Sequence, residues 1–119
     1  MYYVSKRKQS AAGHKRHLSY ESKCANLPGH NWSIPVYCKA EKLNKDGMVM
    51  DFKHIKQKIH GYLDHGNLNE LLPFNPTAEN IAKWIVAQFP ECYKAQVQES
   101  EGNIAVYCDD DKIDGKEAL

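Results

Sequence analysis

The sequence predicts one α+β domain with the element order ββααββ, from two patterns in particular. Apolar residues alternate in two separate stretches, near residue 34 and near residue 97, which is the period of strands with one buried face. Between them lie two segments whose apolar residues recur at helical spacing. A chain of 119 residues with 42% hydrophobic content is long enough for one such core.

Taken in order, Asn31 to Lys42 places Trp32, Ile34, Val36, Cys38 and Ala40 at alternate positions. Pro35 has no N–H to give to a ladder, so this strand is expected at a sheet edge or with that position turned from a partner. Tyr2 to Ala12 is its expected partner, although KRKQS makes a poor strand centre. Asn44-Lys45-Asp46-Gly47 forms a turn. Asp51 suits a helix N-cap, and Phe52, Ile55, Ile59 and Leu63 follow it at helical spacing. A second helix starts near Thr77, carries Ile81, Trp84, Ile85 and Phe89, and is stopped by Pro90. A loop with Asp64-His65 and Pro73 to Pro76 joins the two. Two closing strands alternate at Ala95, Val97, Glu99 and at Ile104, Val106, Cys108, joined by Ser100-Glu101-Gly102-Asn103.

The domain thus spans residues 1–108, and 109–119, with little to bury, reads as a disordered acidic tail. Four strands leave two sheet edges unpaired, which an oligomer closing the sheet would satisfy.

Composition narrows the function classes. Sixteen basic and fifteen acidic residues leave a formal charge of +1, so no nucleic-acid or membrane partner is expected. No apolar run approaches a membrane span and the N-terminus does not resemble a secretory signal, which places the protein in the cytoplasm. Cys24, Cys38, Cys92 and Cys108 lie far apart without a CxxC pair and read as reduced thiols.

Several residues could carry chemistry. Glu99 shares the side of its strand with Ala95 and Val97. It is either an exposed strand end or a carboxylate that accepts paired N–H bonds from an amino-pyrimidinone ring. Asp64 beside His65 can fix an imidazole tautomer for proton transfer. Cys24, in a polar loop, is free to act as a thiolate. His14, His17 and His30 form the one histidine cluster with metal potential. His54 and His60, on the first helix, read as solvated.

The stretches KCANLPGHNW, GMVMDF, LDHGNLN, NPTAEN and VQESEGNIAVY stand in the order and approximate spacing of a known family. Over residues 2 to 108 the chain resembles the 6-pyruvoyl-tetrahydropterin synthase and 6-carboxytetrahydropterin synthase family, and is more similar to the latter, queuosine-pathway branch. The resemblance implies a tunnelling fold (T-fold), in which ββααββ subunits close into an oligomeric β-barrel as trimers or hexamers. It implies a zinc cofactor and a pterin substrate, 7,8-dihydroneopterin triphosphate, converted by a lyase reaction to 6-carboxytetrahydropterin, acetaldehyde and triphosphate. Carried over by position, Glu99 anchors the pterin ring, and Thr77 and Glu79 line the same pocket. Cys24 acts as the proton-transferring base, with Asp64 and His65 serving the opposite face.

The metal half departs from the family pattern. His14 and His30 match two zinc ligands, but Pro28 stands where a third is expected, and proline has no side chain that coordinates a metal. His17, Cys24 or a substrate group would have to complete the set. Arg16 and Lys8 also replace positions that are usually apolar or aromatic. All these departures fall in the first thirty residues. The alternative reading is therefore a remodelled or engineered T-fold protein that has lost zinc-dependent lyase activity and binds a pterin- or purine-like ligand, or catalyses a different reaction in the same pocket.

Overall fold

A computed structural model describes residues 1–7, 9–13, 29–64 and 66–112, and for 9–13 and 29–31 the backbone only. Strands β1 (Tyr2–Lys6) and β2 (Gln9–Gly13) run antiparallel to β4 (Val36–Ala40) and β3 (Gly29–Ser33) respectively. One register holds throughout this long hairpin, from Tyr2↔Ala40 to Gly13↔Gly29. The single strand expected over Asn31 to Lys42 is therefore two, divided at Ile34-Pro35. Nor does it lie at an edge: β5 (Cys92–Ser100) pairs with its other side. Pro35 is tolerated there because it sits between the two ladders, and its carbonyl accepts the Gln96 N–H at 3.0 Å. β6 (Asn103–Cys108) adds to the far side of β5, so β6 and the β1–β2 run are the outer strands among the described residues.

The helices cover one face of this sheet. Asp51 caps α1 (Phe52–Ile55) as expected, its carboxylate accepting the Lys53 N–H at 2.9 Å. The stretch continues through a π-helical turn, Lys56–His60, into α2 (Gly61–Leu63). Ile55, Ile59 and Leu63 are buried, while Phe52 is exposed.

The π turn overturns one expectation. His54 is exposed, but His60 is buried, at 1% exposure, and its Nε2–H donates to the Ile34 carbonyl at the strand break (2.8 Å). A π turn rotates the chain less per residue than an α turn, so His60 comes round beside Ile59. The same turn explains Gly61, where an added Cβ would lie 3.1 Å from the Lys56 carbonyl oxygen.

The connecting loop contains a short helix not foreseen, α3 (Leu68–Leu71), capped by Asn67. Helix α4 (Ala78–Val86) begins where expected, with Thr77 Oγ1 accepting the Asn80 N–H at 3.2 Å. Its buried residues Ile81, Ala82, Ile85 and Val86 join Trp32, Val36, Cys38, Ala95 and Val97 of the sheet in one core. On β6 the inward residues are Ala105 and Tyr107, opposite Val97 and Ala95, which leaves Ile104 and Val106 about half exposed on the other face.

Of the segment expected to be a tail, Asp109 to Lys112 forms a turn, and 113–119 lie outside the described residues. Lys112 Nζ donates to the carbonyls of Val86 (3.1 Å), Phe89 (3.2 Å) and Cys92 (2.9 Å). This cation satisfies the last carbonyl of α4 and two beyond it, where the helix dipole favours positive charge. Among the described residues, no helix is long and apolar enough to cross a membrane.

Candidate functional site

The β5–β6 hairpin builds the site's floor. Its pairs run Val97↔Ala105, Gln98↔Ile104 and then Ser100↔Asn103, so Glu99 is an extra residue with none opposite it. Such a bulge bends a strand and re-aims its side chain. Gly102, at φ +80°, lets the Glu101-Gly102 turn close in two residues, and Asn103 Nδ2 donates to Ser100 Oγ at 2.7 Å.

Above this hairpin lies the first turn of α4. Together they enclose an open depression of about 420 Å³, lined by Ala78 and Glu79 from the helix and by Glu99, Gly102, Asn103, Ile104, Ala105 and Val106 from the hairpin. Glu99 is half-buried and Glu79 exposed. Two carboxylate residues, Glu79 and Glu99, with Ala78 and the outer edge of β6 along the sides, suit a flat heterocycle with a donor-rich edge. Glu79 also sits at a helix N-terminus, where negative charge is favoured.

The substrate-side residues predicted from sequence are thus partly gathered. Glu79 and Glu99 share the depression. Thr77 does not line it, because its hydroxyl is committed to capping α4. Asp64 follows α2, half-buried, with its N–H on the His60 carbonyl at 3.0 Å, and is not among the residues lining the depression. Asn103 and the β6 edge from Ile104 to Val106 were missed as lining residues; the hairpin turn was legible, but the bulge that leaves Glu99 unpaired beside them was not.

The other predicted residues sit elsewhere or outside view. His14, His17, Cys24, Pro28, His65, Lys8 and Arg16 lie outside the described residues. His30 stands in β3 opposite Ala12, one pair from the last, Gly13↔Gly29. The ladder therefore places His30 near the last described pair of β2 and β3. Among the described residues no group of three His, Cys, Asp or Glu side chains could hold a metal ion. As donors, the two imidazoles suit zinc and Pro28 does not, so the set fits only if another group completes it.

Comparison with known proteins places this geometry. The profile of the 6-pyruvoyl tetrahydropterin synthase family matches residues 3–110. The chain belongs to that family. A Synechocystis 6-carboxy-5,6,7,8-tetrahydropterin synthase is 38% identical over 81 residues, covering 60% of this chain and 63% of that protein. A Pyrococcus furiosus dihydroneopterin monophosphate aldolase is 47% identical over 62 residues, covering 50% and 52%. These matches span roughly half to two thirds of those relatives. The solved 6-pyruvoyl tetrahydropterin synthase of Caenorhabditis elegans superimposes with a TM-score of 0.71 at 25% identity, covering 91% of this chain and 95% of that one. The family and the α+β tunnelling fold expected from the sequence are therefore those of the molecule, and the Glu79–Glu99 depression lies on a pterin-synthase scaffold.

Proposed function

We propose that this chain is a lyase of the 6-carboxytetrahydropterin synthase type, converting 7,8-dihydroneopterin triphosphate to 6-carboxytetrahydropterin, acetaldehyde and triphosphate in cytoplasmic queuosine biosynthesis. The observation that carries the reading is the bulge that aims Glu99 into the same depression as Glu79, on a scaffold related to a protein of that name. Glu99 accepts the paired N–H groups of the pyrimidinone edge, and the sides of the depression hold the ring plane. Cys24, Asp64 and His65 move protons at the substrate's side chain. Zinc, held by His14 and His30 with His17 or a substrate oxygen as third ligand, would acidify the side-chain hydroxyls.

The assembly proposed is a ring of copies, trimer or hexamer, joined edge to edge. Its support is the pair of outer strands, with Tyr2 and Tyr3 exposed on β1 and Ile104 and Val106 on β6.

A second reading has its own observations: Pro28 in the metal set and the aldolase relative at 47% identity. On that reading the same pocket holds a dihydroneopterin phosphate and the reaction is retro-aldol cleavage of its side chain. Incubating the purified protein with each phosphate ester, with and without added zinc, separates the two. Acetaldehyde with 6-carboxytetrahydropterin supports the first; a phosphorylated two-carbon aldehyde supports the second; neither product from any condition defeats both.

A further inference from the structure

The register of β4 and β5 brings two thiols together away from the pterin pocket. Val36↔Ala95 and Tyr37↔Lys94 are followed by Cys38↔Cys92, so Tyr93 is the extra residue of a bulge and Cys92 is the direct cross-strand partner of Cys38. The Lys39 N–H donates to the Glu91 carbonyl at 2.9 Å. A bond between the residues flanking a facing pair marks that pair as the non-hydrogen-bonded kind, whose Cα atoms approach to about 4.5 Å. That spacing falls inside the Cα window of a disulfide, about 4.4–6.8 Å. Both side chains are fully buried, both are free thiols, and they lie in the same core cluster.

Their surroundings make the two sulfurs unequal. The neighbouring Cys38 side chain lowers the Cys92 pKa; burial opposes this, while the Lys94 backbone and the Lys112 cation add to it, and the neutral Cys92 thiol donates to the Lys94 carbonyl at 3.8 Å. The Cys92 side chain beside it, with burial, pushes the Cys38 pKa up. Lys112 is held at this place by its bond to the Cys92 carbonyl (2.9 Å), and Asp109 N–H by the Tyr93 carbonyl (3.0 Å), so the Asp109–Lys112 turn lies against this end of β5.

We propose that Cys38 and Cys92 are a reversible dithiol–disulfide site, oxidised by hydrogen peroxide and reduced again by a small dithiol. Cys92 sulfur, as thiolate, attacks one peroxide oxygen; the O–O bond breaks and hydroxide leaves, taking a proton to become water. Cys38 then attacks the sulfenic sulfur of Cys92, its proton leaves with the hydroxyl as a second water, and the S–S bond ties β4 to β5. Two thiols and one peroxide thus give one disulfide and two waters. The inference stands on the core of the domain and is independent of the reaction proposed for the pocket.

The test uses the full chain. Reduced protein is treated with equimolar hydrogen peroxide, alkylated, and digested with chymotrypsin, whose sites at Trp32, Tyr37, Tyr93 and Tyr107 place the four cysteines on separate peptides. The expected result is a Cys38–Cys92 linked peptide lighter by two hydrogen atoms and lost on adding dithiothreitol. A melting temperature several degrees higher in the oxidised protein accompanies it. In folded C38A a sulfenic acid on Cys92 is trapped by dimedone, whereas C92A leaves Cys38 unlabelled. Alkylated, unlinked Cys38 and Cys92 in treated wild-type protein overturns the site. Dimedone on Cys38 in C92A overturns the assigned roles.

Discussion

At Tyr93 and at Glu99, β5 carries one residue more than the strand beside it, but the two bulges meet opposite surroundings. The first is dry: Cys92 and Tyr93 are both buried, and Lys112 closes over it with bonds to three carbonyls. The second opens on the depression under α4, with a half-buried carboxylate at its apex. One backbone device packs into the core at one end and opens onto a depression at the other. Substitutions at the open end should therefore change binding with little change in stability, and those at the closed end the reverse.

Glu99→Ala is the most severe test of that division. Charge-assisted hydrogen bonds are worth about 1.5–3 kcal/mol each, so losing a pair lowers kcat/KM by about 10²–10⁴-fold, mostly through KM. The denaturation midpoint should stay within about 0.5 kcal/mol of wild type, as for a site on the surface. A large loss of stability would make Glu99 a structural residue and collapse the comparison.

Lys112→Met probes the closed end. Removing the ammonium group leaves the Val86, Phe89 and Cys92 carbonyls to compete for water, costing about 1–3 kcal/mol in urea unfolding. Substrate KM is expected to be unchanged. A KM effect as large as that of Glu99→Ala would mean that the two ends of β5 are coupled.

What the sequence shows and hides follows the same line. The alternation of Ala95 and Val97 exposes β5, and a carboxylate continuing it marks Glu99. A bulge, however, is a relation between two strands, and period-2 patterning in one strand does not report a residue left over against a distant partner. For that reason Cys38 was legible as a buried strand residue but not as the partner of Cys92, and Glu99 was legible as a strand carboxylate but not as the residue left unpaired at a bulge. His60 escaped similarly: the π turn that buries it leaves no mark in the helical spacing of Ile55, Ile59 and Leu63. Pro28 was legible because its consequence is purely chemical.

Gly102→Ala has a smaller effect. No atom lies within 4 Å of the added Cβ, so the penalty comes from the backbone alone: φ +80° costs an L-residue about 1–2 kcal/mol. Gly102→Asn should recover most of it, since Asn tolerates the left-handed region. Crowding at this turn could not be relieved by asparagine, so equal losses in the two variants would exclude the backbone explanation.

Asn103→Ala divides the two roles most finely. Its 2.7 Å bond to Ser100 Oγ is exposed to water, which replaces such a bond at almost no cost, so unfolding should shift by no more than about 0.5 kcal/mol. Yet this bond spans the residues that flank the Glu101-Gly102 turn, and the bulge at Glu99 begins one residue earlier. If the turn holds the carboxylate's aim, KM should rise severalfold while kcat stays near wild type, and Asn103→Asp, which leaves an acceptor that bonds the Ser100 hydroxyl, should recover part of the loss. A KM equal to wild type in Asn103→Ala would mean that pairing between β5 and β6 alone fixes Glu99, and the open end would then be as rigidly packed as the closed one.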